Sequence, residues 1–101
     1  MEKLKALVTA TLSEKGLQEL QEIMDVEYHD WQKQKRPFTQ EELKKLSNGK
    51  DVIIVEMCEV HREVIESNDQ LKIIGCCRGL RGDDPTIDIA ASSERNIPIL
   101  F

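Results

Sequence analysis

The sequence "DVIIV", residues 51–55, sets four apolar residues in a row directly after an aspartate. A strand with one face in water alternates apolar and polar side chains, whereas a strand covered on both faces shows a continuous apolar run. Asn48-Gly49 just before the run is a typical end for a helix, because glycine readily adopts the left-handed conformation there. The stretch therefore predicts an inner strand of a parallel sheet that follows a helix.

Four other segments have the pattern of strands, and they alternate with segments that have the pattern of helices. Strands are predicted over residues 4–9, 26–31, 51–55, 71–77 and 97–101. Helices are predicted after Ser13, after Thr39, and over residues 62–67 and 87–95. Such alternation is typical of an α/β fold with a parallel sheet and helices on both faces. We expect a flavodoxin-like doubly wound sheet of about five strands in the order 2-1-3-4-5.

Local signals support the first two helices. Ser13 is a good N-cap, and Leu17, Leu20 and Met24 would share one helical face behind it. Thr39 and Glu42 have the spacing of a capping box, in which each side chain bonds the other residue's backbone N–H. The second helix is therefore predicted to begin at Thr39.

Composition limits the class of protein. The chain has 101 residues, a formal net charge of −5 and 40% hydrophobic residues, which predicts one globular domain over residues 1–101. The negative balance disfavours a nucleic-acid partner, because phosphate backbones require clustered positive charge. The sequence shows neither a signal peptide nor a long apolar run, so we expect a cytoplasmic protein with no membrane partner.

The stretch "GCCRGLRGDDP", residues 75–85, is the strongest candidate for chemistry, because ligands of open parallel sheets bind at the carboxyl ends of strands. Vicinal Cys76 and Cys77 lack the C-x-x-C spacing of zinc and thioredoxin-like sites, so we expect buried cysteines and no metal. Backbone amides near the glycines, with Arg78 and Arg81, could instead bind an anion. An ordinary turn is the remaining alternative.

Other polar residues are weaker candidates. His29 and His61 share no motif, and surface or cap positions are expected for both. Glu56 and Glu59 flank the end of the third predicted strand, where a solvated or arginine-paired carboxylate is the default. Trp31 is expected to serve packing. The chain contains neither a P-loop nor a G-x-G-x-x-G fingerprint, so no nucleotide site is predicted.

The order of the segments resembles the N-terminal, substrate-binding domain of the D-isomer-specific 2-hydroxyacid dehydrogenases, the family of D-3-phosphoglycerate dehydrogenase. The segments that carry the resemblance are "LKALVTATLSEKGLQEL", "DVEYHDW", "DVIIVEMCEVHREVIES", "LKIIGCCRG" and "IDIAASSERNIPILF". The stretches over residues 51–79 and 90–98 are the most specific. In the family, the last stretch leads into a hinge and a nucleotide-binding domain, so we expect this chain to be the first part of a longer polypeptide.

The resemblance implies a role for particular residues. The loop after the fourth strand would hold the carboxylate of a 2-hydroxy or 2-keto acid, through Cys77, Arg78, Gly79 and Leu80. Glu56 and Met57, after the third strand, would line the same cleft. Enzymes of the family transfer hydride to or from NAD. Their second domain binds the NAD and also contains the catalytic arginine, glutamate and histidine. The chain alone would therefore have no catalytic residue, no bound cofactor and no activity, and family homodimers form largely through the second domain.

The chain departs from the family pattern near these residues. The segment of residues 80–85 is longer than the usual glycine-rich turn, and the third strand ends in Glu56-Met57 where an arginine and a serine are common. His61 replaces a frequent threonine helix cap. These departures bear on the substrate, and a non-enzymatic flavodoxin-like ligand-binding or regulatory module is the alternative function. A receiver domain is disfavoured, because the segment of residues 9–11 lacks an acidic pair.

Overall fold

The computed structural model describes residues 3–77 and 87–100. It contains one sheet of five parallel strands in the order β2-β1-β3-β4-β5, which confirms the predicted flavodoxin-like topology. The strands are β1 (Leu4–Val8), β2 (Met24–Tyr28), β3 (Val52–Val55), β4 (Ile73–Cys76) and β5 (Ile99–Leu100). The helices are α1 (Glu14–Ile23), α2 (Trp31–Gln34), α3 (Gln40–Ser47), α4 (Arg62–Ser67) and α5 (Ile89–Glu94).

One face of the sheet carries the main hydrophobic core. Leu7, Ile53 and Ile74 are opposite one another on adjacent strands and are fully buried. Helices α3, α4 and α5 cover this face with side chains such as Leu43 and Val64. We call it the core face. The apolar run of β3 predicted that this face is covered, and Ile53 on it indeed has no access to water.

The opposite face is only partly covered. Right-handed crossovers put α1 on this side, because the chain moves from β1 to β2 in the direction opposite to its later crossovers. Ala6 and Val8 are fully buried here. Over β3 to β5 a shallow apolar groove of about 320 Å³ stays open, and Leu100 at its edge is 62% exposed. The groove is lined by Met24, Val52, Ile54, Ile73, Gly75, Cys76, Cys77 and Leu100.

The local helix signals are confirmed. Ser13 caps α1 through a hydrogen bond from Gly16 N to its Oγ, at 3.0 Å. Thr39 and Glu42 form the predicted capping box at the start of α3. Gly49 follows that helix with a φ of 79°, the left-handed conformation for which glycine was expected.

The predicted end of the first helix and the predicted bounds of the second strand are wrong. Met24 does not continue the helical face of Leu17 and Leu20, because α1 ends at Ile23 and Met24 begins β2. The second strand therefore begins two residues before residue 26 and ends at Tyr28, short of Trp31. Trp31 instead begins α2, a single turn that Asp30 caps through Gln32 N at 2.9 Å. Pairing with β1 overrides the helical spacing, since each β2 residue has a partner in that strand.

None of the described helices combines the length and the apolar character that a bilayer span needs.

Candidate functional site

The carboxyl ends of β1, β3 and β4 lie side by side at one edge of the sheet, which we call the carboxyl edge. The segments that leave it are residues 9–13 after β1, residues 56–61 after β3, and Cys77 after β4. Doubly wound sheets bind ligands outside this edge, because adjacent loops diverge there and leave a crevice. The predicted site residues Glu56, Met57 and Cys77 all belong to it, whereas Arg78, Gly79 and Leu80 lie outside the described residues.

Glu56 connects three separate parts of the carboxyl edge. Its Oε1 accepts hydrogen bonds from Trp31 Nε1 at 2.9 Å and from Thr11 N at 3.2 Å. The residue is half-buried. Within the described residues, the hydrogen-bond partners of Glu56 are an indole and a backbone amide, and no arginine is paired with it. Glu56 thus fixes the loop after β1 and the first turn of α2 relative to β3.

A second set of bonds holds the loop after β1. Thr11 Oγ1 donates to Asp30 Oδ1 at 2.7 Å, and Leu12 N donates to the Tyr28 hydroxyl at 2.9 Å. The hydrogen bond from Thr11 is the main reason that the pKa of Asp30 lies below its ordinary value. These contacts give the edge a preorganised loop, although no sequence motif marked Thr11, Asp30 or Tyr28.

Cys77 is the last described residue before the proposed loop. Its N–H donates to Val55 O at 2.9 Å, so its backbone still belongs to the ladder between β3 and β4. Much of the residue is exposed, yet desolvation of the sulfur, followed by the charge of Glu56, raises the pKa of its thiol. A thiol with a raised pKa is a poor nucleophile at neutral pH, so redox or covalent chemistry is not indicated for Cys77.

The other two cysteines are buried, as predicted, whereas the exposure of Cys77 departs from that prediction. Cys58 Sγ accepts a hydrogen bond from Phe38 N at 3.3 Å and contacts the Thr9 hydroxyl at 3.6 Å. The Cys58 thiol therefore joins the segment before α3 to the end of β1. Within the described ranges, no group of histidine, cysteine and acidic residues could hold a metal ion.

Met57 and His61 lie on a groove of about 380 Å³ between the starts of α3 and α4. His61 is the N-cap residue of α4 but makes no side-chain cap bond, and its Nε2 lies 3.0 Å from Glu59 Oε2. The main chain of this loop is held by the Gln40 side chain, which bonds Glu59 O and His61 N. The cleft-lining role of Met57 stays a prediction.

His29 and Glu27 form a similar but half-buried pair at the end of β2, with 2.8 Å between Nε2 and Oε2. The bond to His29 and the charge of Lys50 lower the pKa of Glu27. The two histidines belong to different strand ends and each contacts its own glutamate, which agrees with the surface positions expected for them.

The strand order and the helices together define a class: a doubly wound α/β domain with a five-stranded parallel sheet. The family model "D-isomer specific 2-hydroxyacid dehydrogenase, catalytic domain" matches residues 6–100. The chain belongs to the D-isomer-specific 2-hydroxyacid dehydrogenase family.

Individual relatives agree with this assignment. The chain is 34% identical over 98 residues to the Bacillus subtilis protein YoaD, whose name assigns it to the 2-hydroxyacid dehydrogenases. Among solved structures, the PH0520 protein of Pyrococcus horikoshii superposes over 96% of the chain with a TM-score of 0.78 and 31% identity. The NAD⁺-bound 3-phosphoglycerate dehydrogenase of Entamoeba histolytica, at 21% identity and a TM-score of 0.74 over 96% of the chain, shows the same fold.

The match covers only part of each relative. The chain spans 28% of the length of the Bacillus subtilis protein, 27% of the Pyrococcus horikoshii protein and 32% of the Entamoeba histolytica protein. The chain therefore corresponds to about a third or less of each relative, and more than half of each relative has no counterpart in it.

Proposed function

We propose that the chain is the substrate-binding domain of an NAD-dependent oxidoreductase that acts on the CH–OH group of D-2-hydroxy acids. The observation that carries this proposal is the family match over residues 6–100. Because the chain spans about a third or less of its relatives, catalysis is assigned to an NAD-binding domain of the same polypeptide. A homodimer formed through that domain and a cytoplasmic location belong to the same proposal.

The loop that begins at Cys77 is proposed to hold the substrate carboxylate. Because Cys77 N donates to Val55 O, we assign the contacts with the carboxylate to the amides that follow, at Arg78, Gly79 and Leu80. Neutral amides oriented by a rigid sheet bind a carboxylate at little entropic cost. The hydrogen bonds of Glu56 to Trp31 and Thr11 support this role, because they hold the neighbouring loops in place.

The described residues do not fit a dinucleotide. Pyrophosphate binding needs glycines between a strand and the following helix, and residues 9–13 after β1 and 56–61 after β3 contain none. NAD is therefore proposed to bind outside this chain, where its nicotinamide would accept the hydride from the hydroxy acid, or donate it to the keto acid in the reverse direction. The contribution of this chain is to bind and orient the acid.

An NMR titration of the ¹⁵N-labelled chain with D-lactate tests the carboxylate loop. We expect concentration-dependent shifts of the amides of residues 78–82 and no NADH oxidation with 2-keto acids. Arg78→Gln should weaken binding by about three- to tenfold, because one nearby positive charge is lost. Lys45→Gln is the control, since Lys45 lies in the last turn of α3 at the opposite edge. Absence of shifts at millimolar ligand, or turnover by the chain alone, would contradict the proposal.

A further inference from the structure

A pocket of about 400 Å³ lies at the carboxyl end of β2, an edge strand of the sheet. It is lined by described residues, namely Tyr28, His29, Asp30, Lys33, Gln34 and Phe38. We propose that this pocket binds a small aromatic amino acid, whose ring contacts the aromatic side chains and whose ammonium and carboxylate groups are recognised by Asp30 and Lys33. Because β1 and β3 lie between β2 and β4, the ends of β2 and β4 are about 14 Å apart.

Separate segments of the chain build the pocket, and backbone bonds hold them. The end of β2, the turn of α2 and the segment before α3 contribute Tyr28, His29, Lys33 and Phe38. His29 N donates to Val8 O at 2.8 Å, which ties the end of β2 to β1. The walls are therefore positioned by the fold before any ligand arrives, which lowers the entropic cost of binding.

Three aromatic rings line the pocket. The rings of His29 and Phe38 meet edge to face, with 6.2 Å between their centroids and 73° between their planes. Phe38 also packs against the hydrophobic core. The Tyr28 hydroxyl accepts a hydrogen bond from Leu12 N at 2.9 Å, which restrains its ring. Because aromatic pairs attract one another beyond the area that they bury, a ligand ring is the favoured partner of these walls.

One carboxylate and one ammonium group accompany the rings. Asp30 Oδ1 accepts hydrogen bonds from Thr11 Oγ1 at 2.7 Å and from Gln32 N at 2.9 Å. The bond from Thr11, the bond from Gln32 N and the nearby charge of Lys33 lower the pKa of Asp30, so its side chain is ionised at neutral pH. Lys33 is exposed and forms no ion pair with a carboxylate of the described residues.

This combination of charges favours a zwitterion over a ligand with a single charge. At a separation of about 6 Å and an effective dielectric constant of about 40 to 80, each favourable ligand charge strengthens binding about three- to tenfold. An aromatic anion gains the attraction of Lys33 but is repelled by Asp30, and the reverse holds for an aromatic cation. The preference should weaken with added salt, because the pocket is open to solvent on one side.

Three ligands that share a ring and differ in charge form the experiment: L-phenylalanine, phenylacetate and phenethylamine. Their affinities for the ¹⁵N-labelled chain are measured at low ionic strength from the amides of residues 28–38 and from the ring signals of Tyr28, the only tyrosine of the chain. We expect saturable shifts, with phenylalanine bound about three- to tenfold more tightly than either relative. L-Alanine should bind about fivefold or more weakly than phenylalanine, because it has no ring to bury.

Two substitutions separate the roles of the charges. Lys33→Gln should weaken the binding of phenylalanine and phenylacetate by about three- to tenfold and should not weaken that of phenethylamine. Asp30→Asn should show the reverse pattern, because asparagine still caps α2 and only the charge is lost. Lys45→Gln is the matched control: it removes an exposed lysine in the last turn of α3 that does not line this pocket, and it should change none of the affinities.

The proposal is overturned if phenylalanine causes no saturable shift at residues 28–38. Equal affinities of the three aromatic ligands would also overturn it, because the rings would then bind without recognition of charge. The same holds if Lys33→Gln weakens phenethylamine as much as phenylacetate. None of these results depends on the amides after Cys77, so the carboxylate loop of the proposed function is tested separately.

Discussion

Asp51, the first residue of the stretch "DVIIV", connects β1, β3 and β4 by hydrogen bonds at the end of the sheet where these strands begin. Its carboxylate is buried and accepts hydrogen bonds from Lys5 N at 2.9 Å and Gln70 Nε2 at 3.3 Å. Its backbone bonds Lys5 O and Lys72 N. The bond from Lys5 N is the main cause of a lowered pKa at Asp51, with the nearby Lys72 charge adding to it.

Asp51→Asn should lower the free energy of unfolding at pH 7 by about 1–3 kcal/mol, because an amide is a weaker acceptor for buried donors. The lowered pKa of Asp51 contributes stability that is present above the unfolded value of about 3.9 and is lost as pH falls through the folded pKa. The difference between variant and parent should therefore shrink towards pH 3.

Urea unfolding at steps between pH 7 and pH 3 measures this difference. Asp25→Asn, at an exposed position of β2, is the control and should match the parent at each pH. A difference between Asp51→Asn and the parent that stays constant down to pH 3 would show that the charge of Asp51 is not the source.

At the level of elements, α3 shows most clearly how the start of a helix can be predicted from the sequence. Thr39 Oγ1 accepts from Glu42 N at 3.2 Å, and Glu42 Oε1 accepts from Thr39 N at 3.0 Å. Arg36 and the Thr39 backbone lower the pKa of Glu42 to about 2. The ionised Glu42 carboxylate therefore contributes its full stabilisation of the helix start above about pH 4.3. This contribution is lost only as the pH falls towards about 2.

Thr39→Ala should cost about 1 kcal/mol of stability, because one N-terminal N–H of α3 loses its acceptor. Thr39→Ser keeps a hydroxyl at the same atom and should lose less than half as much. Thermal and urea unfolding of the two variants measure the contrast. Equal losses would mean that the methyl group of Thr39, and not its hydroxyl, stabilises the helix start.

Other elements were predicted less well for a physical reason. The single turn of α2 has a local cap at Asp30, but its position also depends on tertiary contacts: Trp31 packs on the core, and its indole donates to Glu56, which is distant in sequence. The end of α1 was misplaced because Met24 fits the helical spacing, yet it pairs with Leu4 of β1. Local periodicity does not include the pairing energy of a neighbouring strand.

For the whole molecule, the strand order predicts how protection against hydrogen exchange is distributed. β1 and β3 are inner strands, and Leu7 and Ile53 on them are fully buried. β5 is an edge strand of two residues, and its Leu100 is largely exposed. The hydrogen bonds of an inner strand open only on global unfolding, whereas those of an edge strand can open locally.

We expect the amides of β1 and β3 to exchange most slowly, at rates set by the global free energy of unfolding. The amides of β5 should exchange faster by about two orders of magnitude or more, since local opening costs less. Native-state exchange followed by NMR measures both. Equal protection of β5 and β3 would contradict this picture and would indicate that another surface covers the edge strand.

The sequence by itself determined the α/β class, the strand order, the caps of α1 and α3, and the family. Each of these depends on residues close together in the chain or on the succession of segments. The tertiary structure alone showed the partners of Glu56, the contacts of the buried Cys58 and the open groove beside β4. Those features join residues that are distant in sequence, and side-chain contacts of that kind depend on packing against neighbouring elements, which a local pattern does not contain.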